Sequence, residues 1–438
     1  MRVKKYLFDY AALSQTEKAV FRRVFPFYCV DEETECLTER GWLRYDALEP
    51  GMRALTYDAS GRQLQWEPIL EVAVFDHSGV LFKHKNKSTD ILCTPDHRWP
   101  MRWTRNAKGG QSETTGVEIR RAYEMRLNCA FVTSGDYVGP RESILSPKDA
   151  AILGWVVTDG YHRWRGSHCE MVVYQAPHKY LDEIKALLGT TPRKPHPQTG
   201  VVCVPVPLDA MKRITQHFRS KADLVRIIPR ISREAAEVMW DAMFKAEGCT
   251  TRSSVGYEFK HFAQYAPEVR DAFQILTIML GKTMSVNGRG GYIRDRRYVK
   301  FFGWETQWHT GKVWCPRTPS GTWVMRRNGK PLVTGNTWTR KSIPLALETL
   351  VTDPGKVALL GKARAEFEKS VGDLDREYVA DYINESFGIP VRKNDKGEFE
   401  YFLLKGYVPT ADIAKLDAKE LLGMLNPMIK APIEQMLN

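Results

Sequence analysis

The sequence predicts a multidomain protein in which an all-β unit is interrupted by an α/β insert and flanked by mostly α-helical segments. Three observations lead to this fold class. Short strand-like stretches begin at residue 29, two similar helix-forming stretches lie mid-chain, and a β pattern returns over residues 305–336. A chain of 438 residues is also too long for a single hydrophobic core. The order of these patterns predicts a nested architecture.

The β unit is predicted from short apolar runs separated by turn residues. Residues 36–38 and 42–43 flank a Glu-Arg-Gly turn, and Gly61 separates residues 54–57 from residues 64–66. Residues 104–118 are polar and contain several glycines, which predicts a loop.

The last part of the β unit, from Val313 to Thr337, is predicted to contain a hairpin. Gly329 follows Asn328, a pair that favours the positive φ angles of a tight turn. The second strand of this hairpin ends close to Thr334.

The α/β insert is predicted from two stretches that resemble each other, residues 152–160 and 240–248. Each is a mostly apolar helical run with a small residue at its third position, an acid at its eighth and a glycine at its ninth. A serine N-cap precedes each stretch, and strand-like sequence and another helix follow it. The pattern predicts an internal duplication of the αββα kind.

The flanking segments are predicted to be mainly helical. Ser14 and Glu17 have the spacing of a capping box at the start of a helix over residues 11–23. Residues 337–438 also have a mostly helical pattern, with a hairpin expected between Val391 and Leu403.

Composition and charge restrict the class of protein. The net charge is +12, and the basic excess lies between residues 29 and 336, which favours a polyanionic partner such as nucleic acid. The eight cysteines form no CxxC pair, which is typical of a reducing compartment. We find no apolar run that could span a bilayer and no signal peptide, so we expect a cytoplasmic protein with no membrane partner.

The residues at the two ends of the β unit carry a resemblance to a known family. Cys29, the Thr94-x-x-His97 spacing and the Gly335-Asn336-Thr337 sequence occur in the order found in inteins. Together with the paired acid-Gly helices, they resemble a Hint-type intein that carries an inserted LAGLIDADG (DOD-type) homing endonuclease. The resemblance implies five segments: an N-extein (1–28), two parts of a splicing domain (29–140 and 305–336), the endonuclease (141–304) and a C-extein (337–438).

The resemblance implies a role for each junction residue in excision of residues 29–336. Cys29 would attack the Tyr28 carbonyl, and Thr94 and His97 would act on that amide. Thr337 would accept the acyl group, and Asn336 would cyclise and release the second junction. No cofactor is required for these steps.

Two departures from the common family pattern affect how the implied excision would proceed. Gly335 occupies the position where most inteins have a histidine, so assistance for cyclisation must come from elsewhere, for example His309 or water. Trp99, Cys315 and Thr334 fall where class 3 inteins have a Trp-Cys-Thr triplet. In that class the equivalent of Cys315 attacks the upstream junction, and because Cys29 is also present, both routes remain open.

The resemblance implies that the intein is monomeric and that its insert binds double-stranded DNA, the homing site, through residues 141–304. Gly154 and Ala242 would permit close approach of the two motif helices. The acids at the helix ends, Asp159 and Glu247, would bind Mg²⁺ and act in phosphodiester hydrolysis. The resemblance further implies basic strand residues that contact DNA, Arg294, Arg296 and Arg297. Lys300, expected on the same strand of the insert, would be the basic residue near the scissile phosphate.

The flanking segments, once joined, faintly resemble part of large phage virion-associated proteins, which implies a virion role for the ligated product. Two alternatives to self-excision remain. One is a stand-alone DNA-binding or nuclease protein in which the β unit is a passive scaffold. The other is a non-splicing phage structural protein that carries a degenerate insert.

Overall fold

The computed structural model describes residues 29–95, 97–107, 110–113, 116–122, 125–252 and 258–335, together with residues 391–393, 396, 399–403 and 406–409. The chain divides into two compact units. The larger unit is Tyr28–Thr337, and it contains the whole of the described β unit and α/β insert.

A small closed barrel brings together strands from the two ends of the β unit. Its longest pair joins the strands of residues 71–85 and 305–317 in one continuous antiparallel register. The barrel strands, in the order in which they pair, are β1 (Val30–Asp31), β21 (Glu305–Arg317), β6 (Glu71–Lys85) and β7 (Asp90–Cys93).

A seven-stranded sheet contains the C-terminal hairpin predicted above. Asn328 and Gly329 have φ angles of 47° and 73°, so the predicted positive-φ turn is confirmed. The four predicted N-terminal strands are confirmed as well. The members of this sheet are β12 (Asp136–Tyr137), β5 (Gln63–Pro68), β4 (Arg53–Asp58), β2 (Glu35–Thr38), β22 (Thr322–Arg327), β23 (Lys330–Gly335) and β3 (Gly41–Leu43).

The five-stranded sheet differs from the sequence-based expectations at two places, residues 104–118 and the return of the chain from the insert. The loop predicted over residues 104–118 is wrong, because its backbone pairs from Thr104↔Glu113 to Ala107↔Gly110, and such pairing satisfies peptide groups whatever the side-chain polarity. Lys300 pairs with Ala130, so the chain returns to the β unit before residue 305. The strands are β10 (Glu118–Arg121), β8 (Arg98–Ala107), β11 (Cys129–Val132), β20 (Tyr298–Lys300) and β9 (Gly110–Glu113).

The α/β insert has the duplicated order that the sequence predicts. Both predicted N-caps are present: the Ser146 hydroxyl accepts from the amide of Asp149, and the Ser232 hydroxyl from that of Ala235. The first half consists of α1 (Pro147–Thr158), β13 (Gly160–Arg165), β14 (His168–Gln175), α2 (Leu181–Leu188), β15 (Val202–Pro205), α3 (Leu208–Ile214) and α4 (Leu224–Ile227). The second consists of α5 (Arg233–Glu247), β16 (Gly248–Arg252), β17 (Glu258–Ala263), α6 (Pro267–Met279), β18 (Thr283–Asn287) and β19 (Gly290–Arg294).

One hydrophobic core connects the insert to the seven-stranded sheet. Leu37 and Val324 of that sheet belong to the same buried cluster as Trp155, Met239 and Phe273 of the insert helices. The insert therefore packs on the β unit and shares its hydrophobic interior. The described part of the chain is mostly β, with few helices.

Within the second compact unit, the described residues form one antiparallel sheet of β24 (Val391–Lys393), β25 (Phe399–Leu403) and β26 (Gly406–Pro409). The hairpin expected between Val391 and Leu403 is confirmed. The helices expected over residues 11–23 and in the remainder of residues 337–438 lie outside the described residues. None of the helices that the structure describes has the length and apolar character needed to cross a bilayer.

Candidate functional site

The N-terminal end of the β unit is held by Thr94. The Cys29 amide donates a hydrogen bond to Thr94 Oγ1 at 3.1 Å, and the Thr94 amide donates to the Cys29 carbonyl at 3.0 Å. Both contacts follow from strand pairing, since Val30 lies opposite Cys93 and the next pair along is Cys29 with Thr94. The nitrogen of the Tyr28–Cys29 peptide bond therefore has a fixed polar partner.

His97 connects this end of the chain to the C-terminal strand. Its amide donates to the Thr94 carbonyl at 3.0 Å, and its Nε2 lies 2.5 Å from Thr334 Oγ1. The ring packs edge-on against Trp99, with centroids 5.0 Å apart. The structure thus groups His97 with Trp99 and Thr334, two of the three triplet residues.

The third triplet residue, Cys315, lies close to both Cys29 and Gly335. In the barrel, Val30 pairs with Trp314, and extending this register by one residue places Cys29 opposite Cys315. Residues that are directly opposed in an antiparallel pair have Cα atoms about 4.5–5.5 Å apart. On its other side, the Cys315 thiol donates to the Gly335 carbonyl at 3.8 Å.

Burial governs the ionisation of these thiols. Burial, and after it the proximity of Cys315, raises the pKa of Cys29 well above its usual value. The same two causes raise the pKa of Cys36, which is also fully buried. A thiolate at Cys29 and one at Cys315 would repel each other, so at most one of the two is expected to act as a nucleophile at a time.

Gly335 has a steric reason to be glycine. A Cβ atom at this position would lie 2.7 Å from Arg98 Cβ and 2.8 Å from the Arg98 carbonyl oxygen. The carbonyl of Gly335 is also fixed, because it accepts from Trp323 Nε1 at 3.0 Å. The close approach of Arg98 leaves no room for the histidine that most inteins have here.

We therefore expect Gly335→Ala to displace the end of β23 and to lower the free energy of unfolding by about 1–3 kcal/mol. If the chain is cleaved after Asn336, as the family resemblance implies, the same change should slow that C-terminal cleavage by about tenfold. Cleavage at each junction, followed by mass spectrometry, measures the effect. Thiol-induced cleavage at residue 28 serves as the internal control and should change less. Faster C-terminal cleavage in Gly335→His than in the wild type would contradict this interpretation.

Of four further expected participants, three are not described and the fourth, His309, lies away from this cluster. Asn336, Thr337 and Tyr28 lie outside the described residues. His309 is six residues before Cys315 on the same strand, about 20 Å away along an extended chain. Its Nε2 contacts Glu32 Oε2 at 3.0 Å, so the suggested assistance of cyclisation by His309 is not supported.

A second cluster lies where the two motif helices of the insert end. Gly154 and Ala242 meet at the crossing of α1 and α5, where a Cβ on Gly154 would come within 2.9 Å of the Met239 carbonyl and 3.0 Å of Ala242 Cβ. The close approach expected from the small residues is therefore present. It places the acids at the two helix ends, Asp159 and Glu247, close enough to interact electrostatically.

The two acids have matching partners that sequence reasoning missed. Gln175 Nε2 donates to Asp159 Oδ2 at 3.1 Å, and Gln264 Nε2 donates to Glu247 Oε1 at 2.9 Å. Each glutamine sits at the end of the second strand of its half, in β14 or directly after β17. The one sequence signal for Gln175 and Gln264 is that they occupy equivalent positions in the two duplicated halves.

Burial, and after it the charge of Glu247, raises the pKa of Asp159 to about 6. Carboxylate oxygens are ligands that Mg²⁺ prefers, so Asp159 and Glu247 are the residues that would hold such an ion. The side-chain oxygens of Gln175 and Gln264 instead accept from the backbone amides of Ala176 and Tyr265. Among the described residues, no group of three or more His, Cys, Asp and Glu side chains has metal-binding geometry.

The expected DNA-contacting residues have different surroundings. Arg296 is exposed. Arg294 is half-buried, which lowers its pKa, and it donates to Ser285 Oγ at 3.1 Å. Arg297 forms two hydrogen bonds, of 2.7 and 2.6 Å, with Asp136 of the β unit. Of the three, Arg296 is the most accessible to a phosphate.

Lys300 was expected on the strand of the insert that carries these arginines. The structure instead places it in β20, which pairs with β11 of the five-stranded sheet. Its ammonium group lies over the Phe302 ring, 5.8 Å from the centroid. The placement of Lys300 on an endonuclease strand is therefore wrong, because the chain has already left the insert at this point.

No protein-family model and no curated protein matches the chain. Among solved structures, it is similar to the AceL NrdHF class 3 split intein in a GSH-linked, splice-inactive variant, with a TM-score of 0.27 and 6% identity over 71% of this chain and 99% of that one. It is also similar to mesophilic variants of the homing endonuclease I-DmoI, with a TM-score of 0.25 and 12% identity over 35% of this chain and 84% of that one. The LAGLIDADG meganuclease I-AabMI bound to uncleaved DNA gives a TM-score of 0.22 and 12% identity over 36% and 79%.

These similarities are too weak to assign a fold or a function. The functional assignment therefore depends on the geometry of the two clusters.

Proposed function

We propose that residues 29–336 excise themselves from the chain and join Tyr28 to Thr337. The observation that carries this proposal is the convergence of both ends of the β unit on one buried cluster. Cys29 lies opposite Cys315, whose thiol contacts the carbonyl of Gly335, the residue before Asn336. Cys315 thus lies next to both Cys29 and Gly335, and this proximity supports bond exchange within one chain.

The first step is attack of a thiol sulfur on the Tyr28 carbonyl carbon. The bond to the Cys29 nitrogen breaks, a thioester forms, and the nitrogen gains a proton to become an amine. The hydrogen bond from the Cys29 amide to Thr94 Oγ1 orients this leaving group. His97, whose amide donates to the Thr94 carbonyl, carries the imidazole that would exchange this proton.

The remaining steps transfer the acyl group and release the second junction. The Thr337 hydroxyl takes the acyl group from sulfur and forms an ester, which regenerates the thiol. The side-chain amide nitrogen of Asn336 then attacks its own carbonyl carbon, closing a succinimide and freeing the amine of Thr337. That amine displaces the ester oxygen and leaves an ordinary peptide bond between Tyr28 and Thr337.

Fixed hydrogen bonds around Gly335 support the second junction. Its carbonyl is held by Trp323 Nε1 and the Cys315 thiol, and the preceding Thr334 is held by His97. This arrangement orients the backbone that leads into Asn336. It would also limit the conformations in which the asparagine can close on itself.

We further propose that the insert is a metal-dependent endonuclease for double-stranded DNA. The paired acids Asp159 and Glu247 support it, together with the matching glutamines and the basic charge of the chain. Mg²⁺ bound by this pair would activate water and stabilise the leaving oxygen of a phosphodiester. Gln175 and Gln264 hold the two carboxylates in equivalent orientations for that ion.

The proposal of self-excision is tested by expressing the full chain and measuring the masses of its products over time. We expect one product of residues 29–336 and one in which residues 1–28 are joined to residues 337–438. The control is a Cys29→Ala/Cys315→Ala/Asn336→Ala variant, which should remain full-length. If the wild type also stays full-length after prolonged incubation, excision is refuted and a non-splicing protein is favoured.

A further inference from the structure

Arg327, the last residue of β22, is the centre of a buried ionic cluster. Its side chain is only 12% exposed, and those of Asp31 and Asp90 are 2% and 1% exposed. Its guanidinium donates to Asp31 at 3.0 Å through Nε and to Asp90 Oδ1 at 2.7 Å through its NH1 nitrogen. A third bond of 2.8 Å reaches Glu33 at the surface.

The two buried acids belong to the strands that carry the junction residues. Asp31 lies two residues after Cys29 in the chain, and Asp90 lies four residues before Thr94. Arg327 itself directly precedes the turn into β23, the strand that ends in Thr334 and Gly335. One guanidinium therefore connects three of the chain segments that meet around Cys29, Thr94 and Gly335.

The charges of this cluster favour one relative arrangement of Asp31, Asp90 and Arg327. Two buried carboxylates stay close together only with a cation between them, and a planar guanidinium can bind both at once in fixed directions. The other charged groups facing Asp90 are more distant, with Lys85 at 3.7 Å and Lys330 at 3.9 Å. The Thr34 hydroxyl donates to Asp31 at 2.7 Å and completes its coordination.

We propose that Arg327 is a positioning residue for self-excision, which holds the strand of Cys29 and the strand of Thr94 in register with the strand of Thr334. It acts through Asp31 and Asp90 and does not touch the reacting atoms. This inference rests on the proposed function, since it concerns the rate of the same reaction.

The matched control is the preceding residue. Arg326 is similarly buried, at 10% exposure, and also forms several ionic bonds. Its partners are Glu35 of β2 and Asp271 and Gln274 of α6, and none of the bonds described for it reaches β1 or β7. Arg326→Met removes an equivalent set of bonds without releasing the strands of Cys29 and Thr94.

The experiment compares cleavage rates at residue 28 in the wild type, Arg327→Met and Arg326→Met, each at a temperature where circular dichroism shows it folded. We expect Arg327→Met to slow cleavage by about 10–100-fold, because a displacement of about 1 Å has effects of this size. Arg326→Met should change it by less than about threefold. Arg327→Lys should restore only part of the rate, since an ammonium group cannot bind both acids in a fork.

Arg327→Met leaves two buried acids without their counter-ion, and this variant alone could fail to fold. A triple variant, Asp31→Asn/Asp90→Asn/Arg327→Met, removes those charges. It should be folded and still cleave slowly, because the strands lack their connecting residue.

The outcomes separate the two proposals. If the wild type does not excise, the proposed function fails, and this inference fails with it. If the wild type excises and the folded triple variant does so at the same rate, only the inference is overturned. Equal slowing by Arg326→Met would also overturn it, because the effect would then reflect general loss of stability.

Discussion

Replacing Cys315 with alanine is expected to abolish ligation of Tyr28 to Thr337, with a loss of about 10³-fold or more. The thiol of Cys315 contacts the Gly335 carbonyl, and Cys315 lies opposite Cys29, so this sulfur is close to a residue beside each proposed junction. Removal of a nucleophile that forms a covalent intermediate usually has an effect of this size. Cys29→Ala should be milder, slowing ligation by about tenfold.

The control for this prediction is Cys36→Ala. Cys36 is as buried as Cys29, and burial and the proximity of Cys315 raise its thiol pKa in the same way. Its sulfur contacts only its own strand among the bonds described, where it donates to the Leu37 carbonyl at 3.8 Å. We therefore expect a change in stability with little change in ligation.

The opposite ranking, with Cys29→Ala inactive and Cys315→Ala active, would establish Cys29 as the first nucleophile. The pH dependence of the ligation rate supplies a second criterion for which thiol attacks first. Because burial raises the pKa of Cys29 well above its usual value, a reaction limited by its thiolate would accelerate about tenfold for each pH unit between pH 7 and 9. A flat profile over this range would exclude a rate limited by the Cys29 thiolate.

Asp159→Asn in the insert is expected to reduce DNA cleavage by about 10²–10⁴-fold and, at pH 8, to stabilise the fold. The carboxylate is half-buried beside Glu247, and its pKa is raised to about 6. The charged form therefore costs free energy in the folded state. The asparagine amide has nearly the same shape and can still accept from Gln175.

The sign of the pH dependence follows from this raised pKa. Between the ordinary pKa of an aspartate and about pH 6, the folded state binds the proton more tightly than the unfolded state, so stability falls as the pH rises through this window. The full difference corresponds to about 3 kcal/mol, and partial exposure to solvent reduces it to about 1–2 kcal/mol. Asp159→Asn should recover this amount at pH 8 and little of it at pH 4.

Thermal unfolding of the wild type and Asp159→Asn at the two pH values measures this difference. A second readout is the shift of the wild-type melting temperature on addition of Mg²⁺ at pH 8, which Asp159→Asn should lose. A control variant is Asp209→Asn, at an exposed acid of α3 that pairs with Arg213 on the surface. A wild type that gains no stability from Mg²⁺ and cuts no DNA would contradict a metal site at these acids.

Much of the architecture could be predicted from local sequence patterns. Serine caps, the Asn328-Gly329 turn and the duplicated helical runs each depend on residues that are close in the chain, and each is present in the structure. The exception over residues 104–118 is instructive. Its polar residues resemble a loop, but backbone pairing between two neighbouring stretches forms strands there.

The positions of charged side chains could not be predicted in this way. Arg297 is bound to Asp136, and Lys300 has joined a strand of the β unit. Both outcomes depend on where the chain leaves the insert, which is decided by long-range pairing with β11. The roles of Gln175 and Gln264 likewise follow only from their hydrogen bonds to Asp159 and Glu247 in the structure.

The sequence by itself determined which reactive residues are available and in what order: a thiol at residue 29, a Thr-x-x-His, a second thiol near the end and a terminal Gly-Asn-Thr. Only the tertiary structure decided that Cys29, Thr94, His97, Cys315 and Gly335 lie close together. The pairing of β1 with both β7 and β21 places Cys29 beside Thr94 and opposite Cys315. The physical reason is that the register of distant strands is set by their shared core and buried charges, which no local pattern encodes.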